Sequence, residues 1–268
     1  MRSLQQFWSV RRIGEDRVTL ARLGPLRLWL ARADKEWGFA VEHGEPSTIM
    51  DLAQVPEDVV PHELAWTNML FEQAPREFSL RPAVPDRPLM VKPEHPVAIP
   101  PRESGTFFAL IPVFIEIVLQ RGKEDLVMGT VSSRVLSDTW FGSPTVGDLC
   151  YSLPTLASIN LAALDPKPHD IVCPLEIHNR SEEMLHLEKL CLRPGYVGLY
   201  CGASHLWSSV VHIHHEGLFK SATIRYSGRQ PSFEEGLIEI TKPQKREEKG
   251  LHRLTFGGGF SRDLVLTR

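Results

Sequence analysis

Proline is spread along the whole chain and limits how much helix the sequence can form. The 268 residues include 21 prolines, about 8% of the chain, where roughly 5% is usual. A proline inside a helix removes a hydrogen bond and clashes with the preceding turn, so this spacing excludes long helices. The densest stretch, Pro82–Pro101, has seven prolines in 20 residues. We expect it to form an extended edge segment with a short pairing at Leu89–Val91.

Between the prolines, apolar and polar residues alternate with a period of two. The leucines of Pro25–Ala33 follow this pattern, which is typical of a half-buried strand. Ile171–His178 repeats it, and Met184–Arg193 returns after a polar turn. Lys189 breaks the alternation of that second strand, so we expect a β-bulge there. Further strands are predicted at Arg17–Leu23, Trp37–His43, Leu64–Glu72, Glu77–Arg81, Asp125–Leu136, Tyr196–Cys201, His205–His215, Lys220–Tyr226 and Gly236–Lys242.

This series of short strands predicts an all-β protein built of two packed β-sandwich-like units. Ser137–Gly147 is the least periodic segment after the proline-rich stretch, and we predict a turn-rich loop there, at the joint. The N-terminal β domain then covers residues 1–136, with the proline-rich band at 82–101, and the C-terminal β-sandwich domain covers residues 137–268. One large continuous β-sandwich is the alternative. For Leu251–Arg268 the sequence leaves a strand and a short helix open.

The most apolar stretch, Thr106–Leu119, is too short to cross a membrane. It has 14 residues and contains Pro112 and Glu116, whereas a bilayer span needs about 20 apolar residues. We therefore predict a pair of buried strands or one long bent strand, and no membrane insertion. At the N-terminus, Arg11 and Arg12 interrupt the sequence before an apolar run reaches the length of a signal peptide.

The cysteines indicate the cellular compartment, and the net charge indicates which class of partner to expect. None of the four cysteines has CxxC or metal-finger spacing, and each lies in an apolar or alternating segment. We expect buried, reduced thiols in a cytoplasmic protein. The net charge of −3 gives no basic excess to attract a nucleic acid, so none is expected as a partner. The four residues are Cys150, Cys173, Cys191 and Cys201.

Four segments together resemble a known family. The sequences of these segments and their order along the chain are similar to those of the archaeal and bacterial family called domain of unknown function 432. The resemblance extends from about Arg17 to Tyr226. This resemblance implies no particular activity and no catalytic residue. It also associates the protein with small mechanosensitive channels, and so implies a soluble accessory of a membrane channel. The segments are PDRPLMVKPEHP (Pro85–Pro96), FFALIPVFIEI (Phe107–Ile117), LSDTWFGSPTVGDLCYSL (Leu136–Leu153) and VCPLEIHNRSEEMLHLEKLCL (Val172–Leu192).

A histidine-rich segment, VVHIHHEG at Val210–Gly217, is the candidate metal site. In a strand, His212 and His214 point to one face with Cβ atoms about 6–7 Å apart, so they could share a metal ion. The third ligand could be His205, Glu216 or a residue of a neighbouring strand. The alternative is a set of polar residues on the solvated face of a strand, since no metal-enzyme motif accompanies them.

Two other clusters are candidate binding surfaces. Asp138, Trp140 and Phe141 fall in the predicted loop, where aromatic side chains either pack as a plug or contact a partner. We prefer the packed plug for Trp140. Arg87 and Lys92 lie in the proline-rich stretch, which could hold an anion or a partner chain. The alternative is a solvated edge whose charges prevent pairing with other edges.

No recognised catalytic or cofactor motif occurs in the chain. GxxxxGK[ST], GxGxxG after a strand and GxSxG are all absent from the sequence, so no nucleotide cofactor is expected. The leading hypothesis is a non-enzymatic β-sandwich protein that binds another protein. The first alternative is a metal-binding protein or metal-dependent enzyme that uses His212 and His214. The second is a carbohydrate-binding β-sandwich in which Trp140 or Trp207 stacks on a sugar.

Overall fold

A computed structural model of the chain confirms the all-β class. Strands make up 55% of it and helices 6%, and no described helix has seven residues or more. The two described α-helices have four residues each and are therefore single turns. The structure describes residues 4–14, 17–93, 97–122, 124–142, 145, 147–152, 157–217, 222–245 and 264–266.

The described residues form short strands throughout, with two short α-helices and two 3-10 helices at Glu57–Val59 and Pro194–Tyr196. The α-helices are α1 (Leu4–Phe7) and α2 (Leu161–Leu164). The strands are β1 (Arg11–Arg12), β2 (Arg17–Leu23), β3 (Leu26–Arg32), β4 (Glu36–His43), β5 (Met50–Val55), β6 (Trp66–Leu70), β7 (Glu77–Ala83), β8 (Leu89–Val91), β9 (Val97–Ile99), β10 (Ser104–Pro112), β11 (Phe114–Arg121), β12 (Glu124–Ser132), β13 (Ser137–Gly142), β14 (Gly147–Ser152), β15 (Ala157–Ser158), β16 (Asp170–Asn179), β17 (Leu185–Leu192), β18 (Leu199–Cys201), β19 (Leu206–Ser208), β20 (Val211–His215), β21 (Thr223–Tyr226), β22 (Ile238–Thr241) and β23 (Leu264–Leu266).

The first of two compact units contains two sheets that face each other. One sheet has the order β5-β2-β3-β4-β6 and the other the order β1-β7-β11-β12. Trp37 of β4 packs on Phe78 of β7 with ring centroids 5.6 Å apart, and both side chains are fully buried. The core of this unit therefore lies between the two sheets. The unit comprises Met1–Ala83, Pro112–Val135 and Lys167–His169.

The second unit also contains two sheets. The larger has the order β15-β10-β16-β19-β18-β22, and within it β20 pairs with β16 and β21 pairs with β20. The smaller has the order β13-β14-β8-β17-β23, with β9 paired to β17. The chain passes from the first unit to the second between Val135 and Leu136, next to the domain boundary predicted at residue 136. That boundary stays a prediction. The unit comprises Val84–Ile111, Leu136–Pro166 and Asp170–Arg268.

The edge position expected for the proline-rich stretch is wrong at Leu89–Val91. This strand, β8, pairs in parallel with β14 on one side and antiparallel with β17 on the other. Pro88 and Pro93 flank the strand and leave its own N–H groups available for both neighbours. Proline therefore limits the length of β8 to three residues without excluding it from the interior of a sheet.

The turn-rich loop predicted at Ser137–Gly147 is also wrong, because its first half is a strand. β13 pairs antiparallel with β14, from Ser137 opposite Ser152 to Gly142 opposite Gly147. It lies at the edge of the smaller sheet and most of its residues are exposed or half-buried. A strand with so little buried surface lacks the apolar alternation by which strands are recognised in a sequence.

Three other expectations from the sequence can be compared with the structure. Thr106–Leu119 forms parts of β10 and β11, which belong to different sheets, so it is a pair of buried strands. The register of β17 shifts between Leu187 and Lys189, so the pairing is irregular at the position where a bulge is predicted. All four cysteines are buried and none forms a disulfide. No helix in the described part of the chain is long and apolar enough to span a membrane.

His169 is a buried histidine that stays neutral in the folded protein. Its residue is 5% exposed, and no described group bonds its Nδ1 atom. Burial lowers its pKa to about 4, and the positive charges of Arg134 and Lys167 contribute to this shift. The ordinary value in an unfolded chain is about 6.5. Acid therefore protonates the unfolded chain before it protonates the folded one.

We expect this difference to make the free energy of unfolding fall as the pH drops from about 6.5 to about 4. His169 can account for up to about 3 kcal/mol of that loss. His169→Gln, which stays neutral, serves as the reference in urea unfolding at several pH values. The stability advantage of the wild type over the variant should shrink across this window. A difference that is constant with pH would show that His169 does not titrate in this way.

Candidate metal centre

Four side chains with metal-binding atoms share one face of the larger sheet in the second unit. β16 and β20 pair in parallel, with Glu176 opposite His212 and His178 opposite His214. Side chains alternate between the two faces of a sheet, and these four are half-buried on one face. Their alternating neighbours are buried on the other face: Leu175, Ile177, Val211 and Ile213.

Three of the four place their ligand atoms close together. Oε2 of Glu176 lies 2.9 Å from Nδ1 of His212. One ligand atom each from Glu176, His178 and His212 can be chosen so that all three lie within 4.8 Å of one another. Zinc binds imidazole nitrogen at about 2.0–2.1 Å and carboxylate oxygen at about 2.0–2.2 Å. Small side-chain rotations would therefore bring all three onto one ion.

His178 is held in place from two sides. Its Nδ1 atom lies 2.7 Å from the hydroxyl of Ser104 on β10, which leaves Nε2 as its second nitrogen. Its ring stacks on that of His214, with centroids 4.9 Å apart and planes 20° apart. A hydrogen bond to one ring nitrogen of a metal-binding histidine fixes the ring and the tautomer that binds the metal. Ser104 is suited to this positioning role.

His214 supplies a further nitrogen beside the three. Its buried Nδ1 atom has no hydrogen-bond partner among the described residues. Burial lowers the pKa of His214, and the positive charges of Arg180, His178 and Arg225 lower it further. The neutral imidazole is therefore favoured, and it is the neutral form that binds metals.

The structure places the other predicted ligands elsewhere. Among the described residues, the group that could hold an ion consists of Glu176, His178 and His212. The ring of His205 packs edge-on against Trp207, with centroids 6.2 Å apart. The carboxylate of Glu216 lies 3.9 Å from the guanidinium of Arg180. The group therefore contains His212 of the predicted pair but not His214, and its other two members, Glu176 and His178, come from the neighbouring strand β16.

Of the two predicted cations in the proline-rich stretch, Arg87 pairs with an acidic side chain. The Nη1 atom of Arg87 lies 3.2 Å from Oδ1 of Asp138, and its guanidinium lies 5.4 Å from the centroid of the Tyr151 ring. Lys92 is exposed. Arg87 and Asp138, two of the predicted binding residues, therefore satisfy each other.

The predicted aromatic residues fall on opposite faces of β13. Phe141 is 4% exposed and Trp140 is 52% exposed, because consecutive residues of a strand point to opposite faces. The packed plug we preferred for Trp140 is therefore wrong. Trp207 is 1% exposed and has no face on which a sugar could stack. Of the two tryptophans considered for carbohydrate binding, only Trp140 is accessible.

Comparison with known proteins gives a family and no named relative. A family model described as protein of unknown function (DUF432) matches residues 7–261. No curated protein and no solved structure matches the chain significantly. Since the match spans nearly all of the chain, the protein belongs to the DUF432 family.

Proposed function

We propose that this member of the DUF432 family binds a divalent transition metal ion through Glu176, His178 and His212. The observation that supports this most is the closeness of the three ligand atoms, within 4.8 Å of one another, on two strands whose register sets them side by side. Two imidazoles and one carboxylate form a ligand set that suits zinc, and also iron, nickel or copper. Zinc is the ion with which we propose to test the site.

The solvated face of a strand is the alternative explanation for these residues. Isolated polar residues on such a face would each be satisfied by water and would need no neighbour of the same kind. Here His178 stacks on His214 at 4.9 Å, and Oε2 of Glu176 lies 2.9 Å from Nδ1 of His212. The polar side chains therefore contact one another, as ligands gathered around one ion would.

The number of protein ligands also bears on the kind of metal site. Structural zinc sites are usually closed by four protein ligands, whereas zinc sites that act on a substrate have three and keep a further position open. The three residues here are half-exposed, with 36% of the Glu176 side chain and 29% of the His212 side chain accessible. A bound ion would remain within reach of a small molecule from solvent.

Removal of either histidine should abolish tight metal binding. We expect the full chain, made without a histidine tag, to bind zinc in isothermal titration calorimetry. His178→Ala and His212→Ala should each weaken binding by more than about 100-fold, since loss of an outer partner alone costs about 10- to 100-fold. His186→Ala is the matched control, since His186 lies on β17 outside the group. Equal zinc affinity in all four proteins, or none in the wild type, would refute the site.

We also propose protein binding through β13 and β14 as a second function. Trp140 is 52% exposed and its cross-strand partner Leu149 is 46% exposed, so the two form an apolar pair on an edge hairpin. Aromatic residues are frequent anchors of protein interfaces. A partner that co-purifies with the wild type from native cells should be lost with Trp140→Ala and retained with Leu70→Ala, a matched change at an exposed residue of the first unit. Retention by both variants would exclude this surface.

The compartment we propose is the cytoplasm. Four buried cysteines without a disulfide are typical of proteins from a reducing compartment. A metal site rich in histidine, without cysteine ligands, is compatible with that setting. A role beside a membrane channel would place the protein at the inner surface of the membrane, and the β13–β14 hairpin is the surface we propose for such a partner.

A further inference from the structure

The strand after the metal ligands carries a positive charge in the same row. β20 pairs antiparallel with β21, with His212 opposite Arg225 and His214 opposite Thr223. Together with the pairing of β16 and β20, this gives one row of Glu176, His212 and Arg225 across three strands. Residues opposite one another on adjacent strands share a face of the sheet. Arg225 thus lies beside His212, on the side away from Glu176.

Arg225 is exposed, and no acidic side chain of the described residues forms an ion pair with it. The other nearby cation, Arg180, already lies 3.9 Å from the carboxylate of Glu216.

Charge balance leaves a loaded site strongly positive. A divalent ion contributes two positive charges, and Glu176 is the one carboxylate among its three ligands. Arg225 adds a further positive charge one strand away, a distance of about 4.8 Å between strand axes. An arginine side chain easily spans that distance, and its planar guanidinium binds carboxylates and phosphates with two parallel hydrogen bonds.

We propose that the metal-loaded site binds a small oxyanion, a carboxylate or a phosphate, between the ion and Arg225. This inference rests on the proposed metal binding and adds the chemical class of its ligand. One oxygen of the anion occupies the open position of the metal ion. A second oxygen accepts hydrogen bonds from the guanidinium of Arg225. The same arrangement disfavours cationic ligands, which would face the uncompensated charge.

The test uses the full chain loaded with cobalt(II), whose visible absorption reports its ligands. Cobalt affinity is measured first for the wild type, Arg225→Gln and Arg229→Gln. Each loaded protein is then titrated with acetate and, separately, with inorganic phosphate at constant ionic strength maintained with chloride. Arg229 is exposed and follows β21, so Arg229→Gln makes the same change of net charge outside the row.

We expect Arg229→Gln to bind cobalt like the wild type, and Arg225→Gln to bind it at least as tightly, because this change removes a positive charge beside the ion. Saturable spectral changes with acetate or phosphate should occur in the wild type and in Arg229→Gln, and Arg225→Gln should need about tenfold more anion or greater. The more effective of the two anions identifies the class of ligand. Equal anion affinity in Arg225→Gln, or no response in the loaded wild type, would overturn this inference while metal binding stands. Failure to bind cobalt would overturn the metal site and the anion site together.

Discussion

Gly24→Ala is expected to lower the free energy of unfolding by about 2–5 kcal/mol, through left-handed strain and overpacking combined. Gly24 lies in the two-residue turn between β2 and β3 with a φ of +60°, which disfavours any side chain. A Cβ atom there would also lie 2.1 Å from Nδ1 of His169. Because His169 is buried, its ring cannot swing into solvent to relieve the clash.

Gly122→Ala is the matched control for the turn. Gly122 has a φ of +65°, and no described atom lies within 4 Å of the position of an added Cβ. Gly122→Ala should therefore lower the free energy of unfolding by the backbone strain alone, about 1–2 kcal/mol. Thermal unfolding of both variants separates the two costs, with roughly 2–4 °C expected per kcal/mol. Equal melting temperatures for the two variants would mean that the contact with His169 carries no cost.

Trp207→Ala should cause the other large loss, about 3–5 kcal/mol. Trp207 is 1% exposed and stacks on Phe233 with ring centroids 5.9 Å apart. Its Nε1 atom donates a hydrogen bond to Oε2 of Glu234 at 2.7 Å. The variant loses the aromatic packing and also removes one of the hydrogen-bond donors to that carboxylate. We expect a fall of roughly 6–20 °C in the melting temperature.

Trp140→Ala removes the same side chain from the same unit and should be nearly neutral. Trp140 is 52% exposed on an edge strand, and surface substitutions usually change stability by less than about 0.5 kcal/mol. Circular dichroism melts of the two variants make the comparison direct. If Trp140→Ala were as destabilising as Trp207→Ala, the two tryptophans would not differ in burial as the structure describes.

Strands with one buried face could be predicted from the sequence closely. Arg17–Leu23 was predicted and is observed as β2 with the same bounds. Ile171–His178 extends by one residue at each end as β16. The alternation reports burial of one face, which β2 shows from Thr19 to Leu23 and β16 shows from Leu175 to Asn179. β13, which has one buried residue in six, and β8, which prolines shorten to three, carry too little of that signal.

About half of the candidate metal centre could be predicted from the sequence, again because alternation along a strand shows which side chains share a face. His212 and His214 follow the alternation of their own strand, so their shared face could be deduced locally. Glu176 and His178 have the same spacing around the buried Ile177 in β16. This spacing is the sequence signal that could have identified them as candidate ligands. The parallel pairing of β16 with β20 joins residues far apart in the chain, and its register depends on the fold between them. No local pattern contains that register.

Anomalous diffraction at the zinc edge tests the central claim most directly. Crystals of the full chain grown with an equimolar amount of zinc are expected to show one strong anomalous peak among Glu176, His178 and His212. Imidazole nitrogens should lie about 2.0–2.1 Å from the peak, and the carboxylate oxygen about 2.0–2.2 Å from it. A peak at other histidines with none at these three residues, or no peak at all, would contradict the account.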